Sequence, residues 1–180
     1  MRWFILLIAI SAVSLPSQNV QASEQAVAID YLYGEDDITG VRLAYRPYNT
    51  QFTSIDWLGS LDVYWEVSVN FWEYGPHNQH DTNYAVALSP VFSNQFDTLY
   101  GKYPLKWEFG IGVSLVNDTH FAGKDIGSHY QFEDRLGLVL QFGQQLDSSL
   151  AVRYMHYSNG GLDDHNPGVD FLNVSYAKTF

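Results

Sequence analysis

The stretch that decides the fold is Gly59–Tyr74, GSLDVYWEVSVNFWEY. Its odd positions hold Leu61, Val63, Trp65, Val67, Val69 and Phe71. Its even positions hold Ser60, Asp62, Tyr64, Glu66, Ser68 and Asn70. Successive side chains of a strand point to opposite faces, so this order makes one apolar and one polar face. On a helix the same apolar residues would scatter around the circumference.

The alternation recurs on both sides of that segment. Val27, Ile29, Tyr31 and Tyr33 form one set, and Val41, Leu43 and Tyr45 another. Tyr84, Val86, Leu88 and Phe92 follow, interrupted by Pro90. Leu105 to Leu115 and Leu136 to Phe142 alternate in the same way, and two further runs lie near 149–158 and 169–180. Eight candidate strands result, of roughly the length a bilayer requires. Asp30, Arg42, Asp62, Glu66, Lys106, Glu108, Arg135 and Arg153 all take the polar parity. A soluble sandwich or lipocalin-like barrel would turn those charges to water, whereas a membrane barrel would turn them into its lumen. Alternation alone does not separate the two.

Three features favour the membrane form. Aromatic residues make up 16% of the chain and gather near strand ends on the apolar face, as an interfacial girdle does. Gly110, Gly112 and Gly137 lie on the polar parity, where a narrow lumen needs small residues. Phe180 ends the sequence on the apolar parity of a strand, which resembles the sorting signal of outer-membrane barrels. The expected fold is all-β, an eight-stranded antiparallel outer-membrane β-barrel.

The N-terminus supports this placement. MRWFILLIAISAVSL carries an early arginine and an apolar run that Pro16 breaks, and Val20-Gln21-Ala22 offers a cleavage point. The run is too short to span a bilayer, so residues 1–22 are expected to be a secretory signal peptide and 23–180 a single barrel domain. The net charge of −11 argues against nucleic acid, which requires a basic face. With no cysteine, neither disulfides nor thiolate chemistry arise.

An even strand number puts short turns on the periplasmic side and longer loops outside. The external segments are then Gly34–Ile38, Gly75–Thr82, Asn117–Tyr130 and Asn159–Gly168, while Tyr48–Trp57 is a periplasmic connection longer than the rule prefers. The tail, RYMHYSNGGLDDHNPGVDFLNVSYAKTF, carries the chemistry. His156 and Ser158 share the apolar parity of one strand with Leu150, Val152 and Tyr154, and Asp170 shares that of the next with Leu172, Val174 and Tyr176. A hairpin that pairs 156 with 170 would set their Cβ atoms about 5 Å apart. Acid, imidazole and hydroxyl in a row are the parts of a nucleophilic hydrolase: Ser158 attacks, His156 takes its proton, and Asp170 orients the ring. Asn159-Gly160-Gly161 can turn backbone N–H groups toward a substrate carbonyl, and Asn166 can donate from its side chain or brace the loop. The same residues also suit strand ends in a headgroup layer, and NGG is ordinary turn chemistry.

HYSNGG, followed by Asn166 and an acid at 170, resembles the lipid A 3-O-deacylase (PagL) family. The specific part of the likeness lies within about residues 153–176. It implies a barrel in the bacterial outer membrane that removes the 3-hydroxyacyl chain ester-linked at position 3 of lipid A in the outer leaflet, with no cofactor. By match, Ser158 is the nucleophile and His156 the base, and Asn159, Gly161 and Asn166 fall at oxyanion-hole and supporting positions. The family's third member is usually Glu, where this chain has Asp170. A homodimer is expected from the resemblance alone.

Two other readings remain. Outer-membrane phospholipase A also resembles the motif through His-x-Ser-Asn-Gly, but that family has twelve strands, calcium and an upstream asparagine. A non-catalytic structural or adhesive barrel is the other. His77, His80, His120, His129 and His165 lie in the expected loops among aspartates and could bind a divalent cation, but without tight ligand spacing the favoured reading is solvated loop residues and no metal site. Lys124 is the one basic residue of those loops.

Overall fold

The computed structural model describes residues 24–35, 37–75 and 82–180. The segment read as a signal peptide, together with His77, His80 and Asp81, lies outside the described residues. The strands are β1 (Ala26–Gly34), β2 (Thr39–Ile55), β3 (Gly59–Glu73), β4 (Asn83–Leu99), β5 (Tyr103–Val116), β6 (His120–Phe121), β7 (Lys124–Asp125), β8 (Tyr130–Phe142), β9 (Ser148–Ser158) and β10 (Val169–Thr179). Eight of them close an antiparallel barrel in the order β1-β10-β9-β8-β5-β4-β3-β2, and β6 and β7 form a small separate hairpin. Because β1 pairs with both β10 and β2, no edge is left exposed.

The expected connection over Tyr48–Trp57 is not a loop. β2 continues to Ile55 through register shifts at Tyr45/Tyr48 and Gln51/Thr53, leaving a turn closed by Leu58 N–H on the Ile55 carbonyl at 3.0 Å. The two shifts interrupt the period-2 pattern, which hid the strand from a parity count. β4 likewise runs through Pro90, opposite Trp65 of β3, to Leu99.

Polarity is inverted relative to a soluble barrel. Leu43, Val67, Ile111, Leu138, Val152 and their neighbours are exposed on the outside. Asp30, Arg42, Glu66, Glu108, Glu133, Arg135 and Arg153 are buried inside. Arg42 bonds Asp30 at 2.9 Å and Glu66 at 2.5 Å, Arg135 bonds Glu66 at 2.5 Å and also Glu133, and Arg153 bonds Glu108. A low-dielectric interior makes each of these charges dependent on its partners. The lumen has no spare width: a Cβ on Gly112 would sit 1.9 Å from Ser89 Oγ, and one on Gly137 2.8 Å from Arg153 Cγ.

Above this charged layer the lumen changes character. Leu32, Trp72, Met155, Tyr157 and Phe171 point inward and form an apolar plug, completed by Phe121 and Ile126 from the segment between β5 and β8. Trp72 packs edge-on against Tyr157 at 4.8 Å between ring centroids. The β6–β7 hairpin is thereby fixed over the outer mouth of the barrel. Its tip, Ala122-Gly123, has positive φ at both residues, as a tight two-residue hairpin turn requires.

Candidate active site on the barrel exterior

The β9–β10 register sets Asp170 directly opposite His156, and the β8–β9 register sets Asp134 on its other side. Three polar residues thus form one level across three strands, at the outer end of an otherwise apolar exterior. Leu150, Val152 and Tyr154 occupy the same face of β9 as His156 and are exposed. Leu172, Val174 and Tyr176 do the same on β10.

His156 Nδ1 lies 2.6 Å from Asp170 Oδ1. An ionised carboxylate only accepts hydrogen bonds, so the ring proton belongs on Nδ1 and Nε2 is left with its lone pair. The tyrosine hydroxyl of Tyr154 donates to the same Asp170 oxygen at 2.6 Å. Ser158 follows His156 by two residues on the same face, half-buried. Among the described residues its hydroxyl makes no hydrogen bond, so imidazole and hydroxyl are neighbours without being joined. Such contacts are often loose until substrate seats them.

The loop after Ser158 is held from within. Asn159 is fully buried, and its Nδ2 donates to the carbonyls of His165 at 2.7 Å and Ile126 at 3.2 Å. Its backbone N–H donates to Asn166 Oδ1 at 2.9 Å, and its Oδ1 accepts from the Gly161 N–H at 2.9 Å. The N–H groups of Asn159 and Gly161 are therefore committed to the loop itself. The Gly160 N–H and the Asn166 amide nitrogen have no acceptor among the described residues. No three His, Asp or Glu side chains converge on a metal position among the described residues.

The family model described as Lipid A 3-O-deacylase (PagL) matches residues 39–179. The chain belongs to the PagL family. Lipid A deacylase PagL of Pseudomonas aeruginosa is 33% identical over 118 residues, 66% of this chain and 65% of that one. Its counterpart from Bordetella bronchiseptica is 27% identical over 180 residues, 94% of this chain and 91% of that one. The crystal structure of the outer membrane enzyme PagL superposes with a TM-score of 0.70 at 25% identity, covering 85% of this chain and 98% of that chain. The protein is accordingly an outer-membrane β-barrel.

Asp170, where the resemblance implies Glu, lies straight across the ladder from His156 and meets Nδ1. Three residues of the site were not singled out in the sequence. Asp134 continues the outward parity of β8, and an acid on that parity was the available signal. Tyr154 shows no mark beyond its parity. Gly168 does: it has φ +72°, and a Cβ there would lie 2.6 Å from His156 Cε1 and 3.4 Å from Nε2. Its missing side chain is the space the imidazole occupies.

Proposed function

We propose that the protein is an esterase that releases the 3-hydroxyacyl chain ester-linked at position 3 of lipid A, using Ser158, His156 and Asp170 on the lipid-facing exterior. The observation that carries this reading is the 2.6 Å contact between His156 Nδ1 and Asp170 Oδ1 on the outer surface, with Ser158 on the same strand face. Membership of the PagL family supplies the substrate class, which geometry alone does not.

In this reading the acyl chain lies along the barrel wall. Below the site, Val174, Tyr176, Ile29, Tyr31, Val41 and Leu150 border a shallow apolar groove that suits a hydrocarbon chain. Ser158 Oγ bonds to the ester carbon as its proton passes to His156 Nε2. Asp170 keeps the ring oriented and balances the imidazolium. The Gly160 N–H and the Asn166 side-chain amide hold the tetrahedral oxyanion. The bond to the sugar oxygen then breaks, and that oxygen takes the proton from Nε2. Water, deprotonated by His156, attacks the acyl-serine; the acyl–Oγ bond breaks, Nε2 returns the proton to Ser158, and the 3-hydroxy fatty acid is freed. The cycle needs no redox step and no electron carrier. The eight-stranded barrel does not fit the twelve-stranded phospholipase alternative.

Mass spectrometry of lipid A from cells producing the wild type, Ser158→Ala and Asp170→Asn tests the reading. The wild type should remove one 3-hydroxyacyl chain, Ser158→Ala none, and Asp170→Asn far less than the wild type. Unchanged lipid A with folded wild type in the outer membrane would sink it and favour the structural or adhesive barrel.

A further inference from the structure

We propose that Lys124 is the phosphate-binding residue of the site, holding a phosphate of the lipid A sugar headgroup beside the His156–Asp170 pair. This rests on the esterase reading, because the ligand is that substrate's own headgroup.

The inference begins with where the positive charges lie. Arg42, Arg135 and Arg153 are buried in the lumen, each engaged with lumen carboxylates. Arg46 bonds Glu66 within the barrel at 2.8 Å. Lys102 lies in the turn between β4 and β5, Lys106 pairs with Asp62, and Lys178 pairs with Asp147, all toward the opposite end from the site. Among the described residues, Lys124 is the one lysine or arginine at the outer end. The outer loops are otherwise acidic, with Asp118, Asp125, Asp163 and Asp164 among them. Among the described residues, Lys124 is thus the one lysine or arginine that can attract a phosphorylated headgroup at this acidic rim.

Its position is built rather than incidental. Phe121 pairs with Lys124 across the β6–β7 hairpin, and Phe121 and Ile126 are buried in the apolar plug. The backbone that carries Lys124 is thus anchored. Its ammonium pairs with Glu35, immediately after β1, leaving the lysine side chain 19% and the glutamate side chain 49% exposed. Gly34, the residue before Glu35, lies against the Asp170 backbone: a Cβ there would be 2.9 Å from the Asp170 carbonyl oxygen. The Lys124–Glu35 pair therefore sits beside the outer end of β10, next to the candidate site. A lysine ammonium binds phosphate as a point charge with several donors, so it can engage the headgroup without a planar fork. Glu35 holds the ammonium in place until a phosphate competes for it.

The alternative role is a tether between two loops, and the two roles predict opposite behaviour at Glu35. The experiment uses purified full-length protein in detergent micelles with two substrates, bis-phosphorylated lipid A and the same lipid A stripped of phosphate. Release of 3-hydroxy fatty acid gives kcat/KM for wild type, Lys124→Gln, Lys124→Arg and Glu35→Gln. Circular dichroism confirms the barrel in each. Phosphate binding predicts that Lys124→Gln loses about tenfold on the phosphorylated substrate, chiefly in KM, as expected for one charge-assisted contact. It predicts little loss on the stripped one. Lys124→Arg should keep most of the preference, and Glu35→Gln should match or exceed the wild type on the phosphorylated substrate. Equal losses on both substrates, or Glu35→Gln failing as Lys124→Gln does, would overturn the proposal in favour of the tether. No change in Lys124→Gln would overturn it as well. A folded wild type inactive on both substrates would remove the esterase reading, and this proposal with it.

Discussion

Asp170 carries two donors on one oxygen, His156 Nδ1 and the Tyr154 hydroxyl, each at 2.6 Å. In the proposed mechanism this arrangement lets an aspartate orient the imidazole. The ladder brings the carboxylate opposite the ring, and the tyrosine fixes its rotation. Tyr154 is therefore a positioning residue in the proposed mechanism. Tyr154→Phe should lower kcat by about tenfold, the scale of one hydrogen bond to a charged group, with KM nearly unchanged. A change confined to KM would instead mark Tyr154 as an acyl-chain contact. At this scale the sequence was readable where parity was clean. His156, Ser158 and Asp170 fall on one face because each strand keeps period 2 through them. Tyr154 was on that face but looked like any girdle tyrosine, since only the three-dimensional contact reveals its hydroxyl's partner.

The loop between β9 and β10 is a rigid frame rather than a flexible tip. Asn159 stitches it at both ends, and Gly168 ends it at positive φ against the imidazole. Gly168→Ala tests the frame. The new methyl group would need the ring to move or the loop to unwind, and the left-handed conformation adds about 1–2 kcal/mol of strain. A shift of about 1 Å in a catalytic group costs roughly a hundredfold in rate, so kcat should fall by about that much. The unfolding midpoint should fall by no more than that strain implies, because the barrel ladder is untouched. A variant with normal kcat would show that His156 need not hold its present position. NGG reads as a turn in any sequence, and nothing in its composition shows that two of its N–H groups are already occupied. That division among donors depends on Asn159 being buried under the β6–β7 segment, a contact between distant parts of the chain.

At the scale of the whole molecule, the proposed chemistry lies outside the barrel and its cohesion inside. Inverted polarity was legible once charges and glycines shared a parity, and the eight strands followed. The length of β2 was not, because two register shifts break the count, nor was the apolar plug, because Phe121 and Ile126 reach it from a segment that reads only as a loop. The charged layer below the plug is where the barrel is most vulnerable. Asp30, Glu66, Glu108 and Glu133 face Arg42, Arg46, Arg135 and Arg153, so acids and bases match inside. Arg135→Met would keep the volume and remove one base, leaving the fully buried Glu66 and Glu133 short of a partner. Removing one member of a buried pair costs about 3–5 kcal/mol, so the midpoint of denaturant unfolding in micelles should fall clearly. Adding Glu133→Gln restores the charge match and should recover part of the loss. Turnover per folded molecule should stay near wild type in both, because the site draws on the outer ladder rather than on the lumen charges. An unchanged midpoint in Arg135→Met would mean that the lumen admits water, and the charge layer would then be a lining rather than a core.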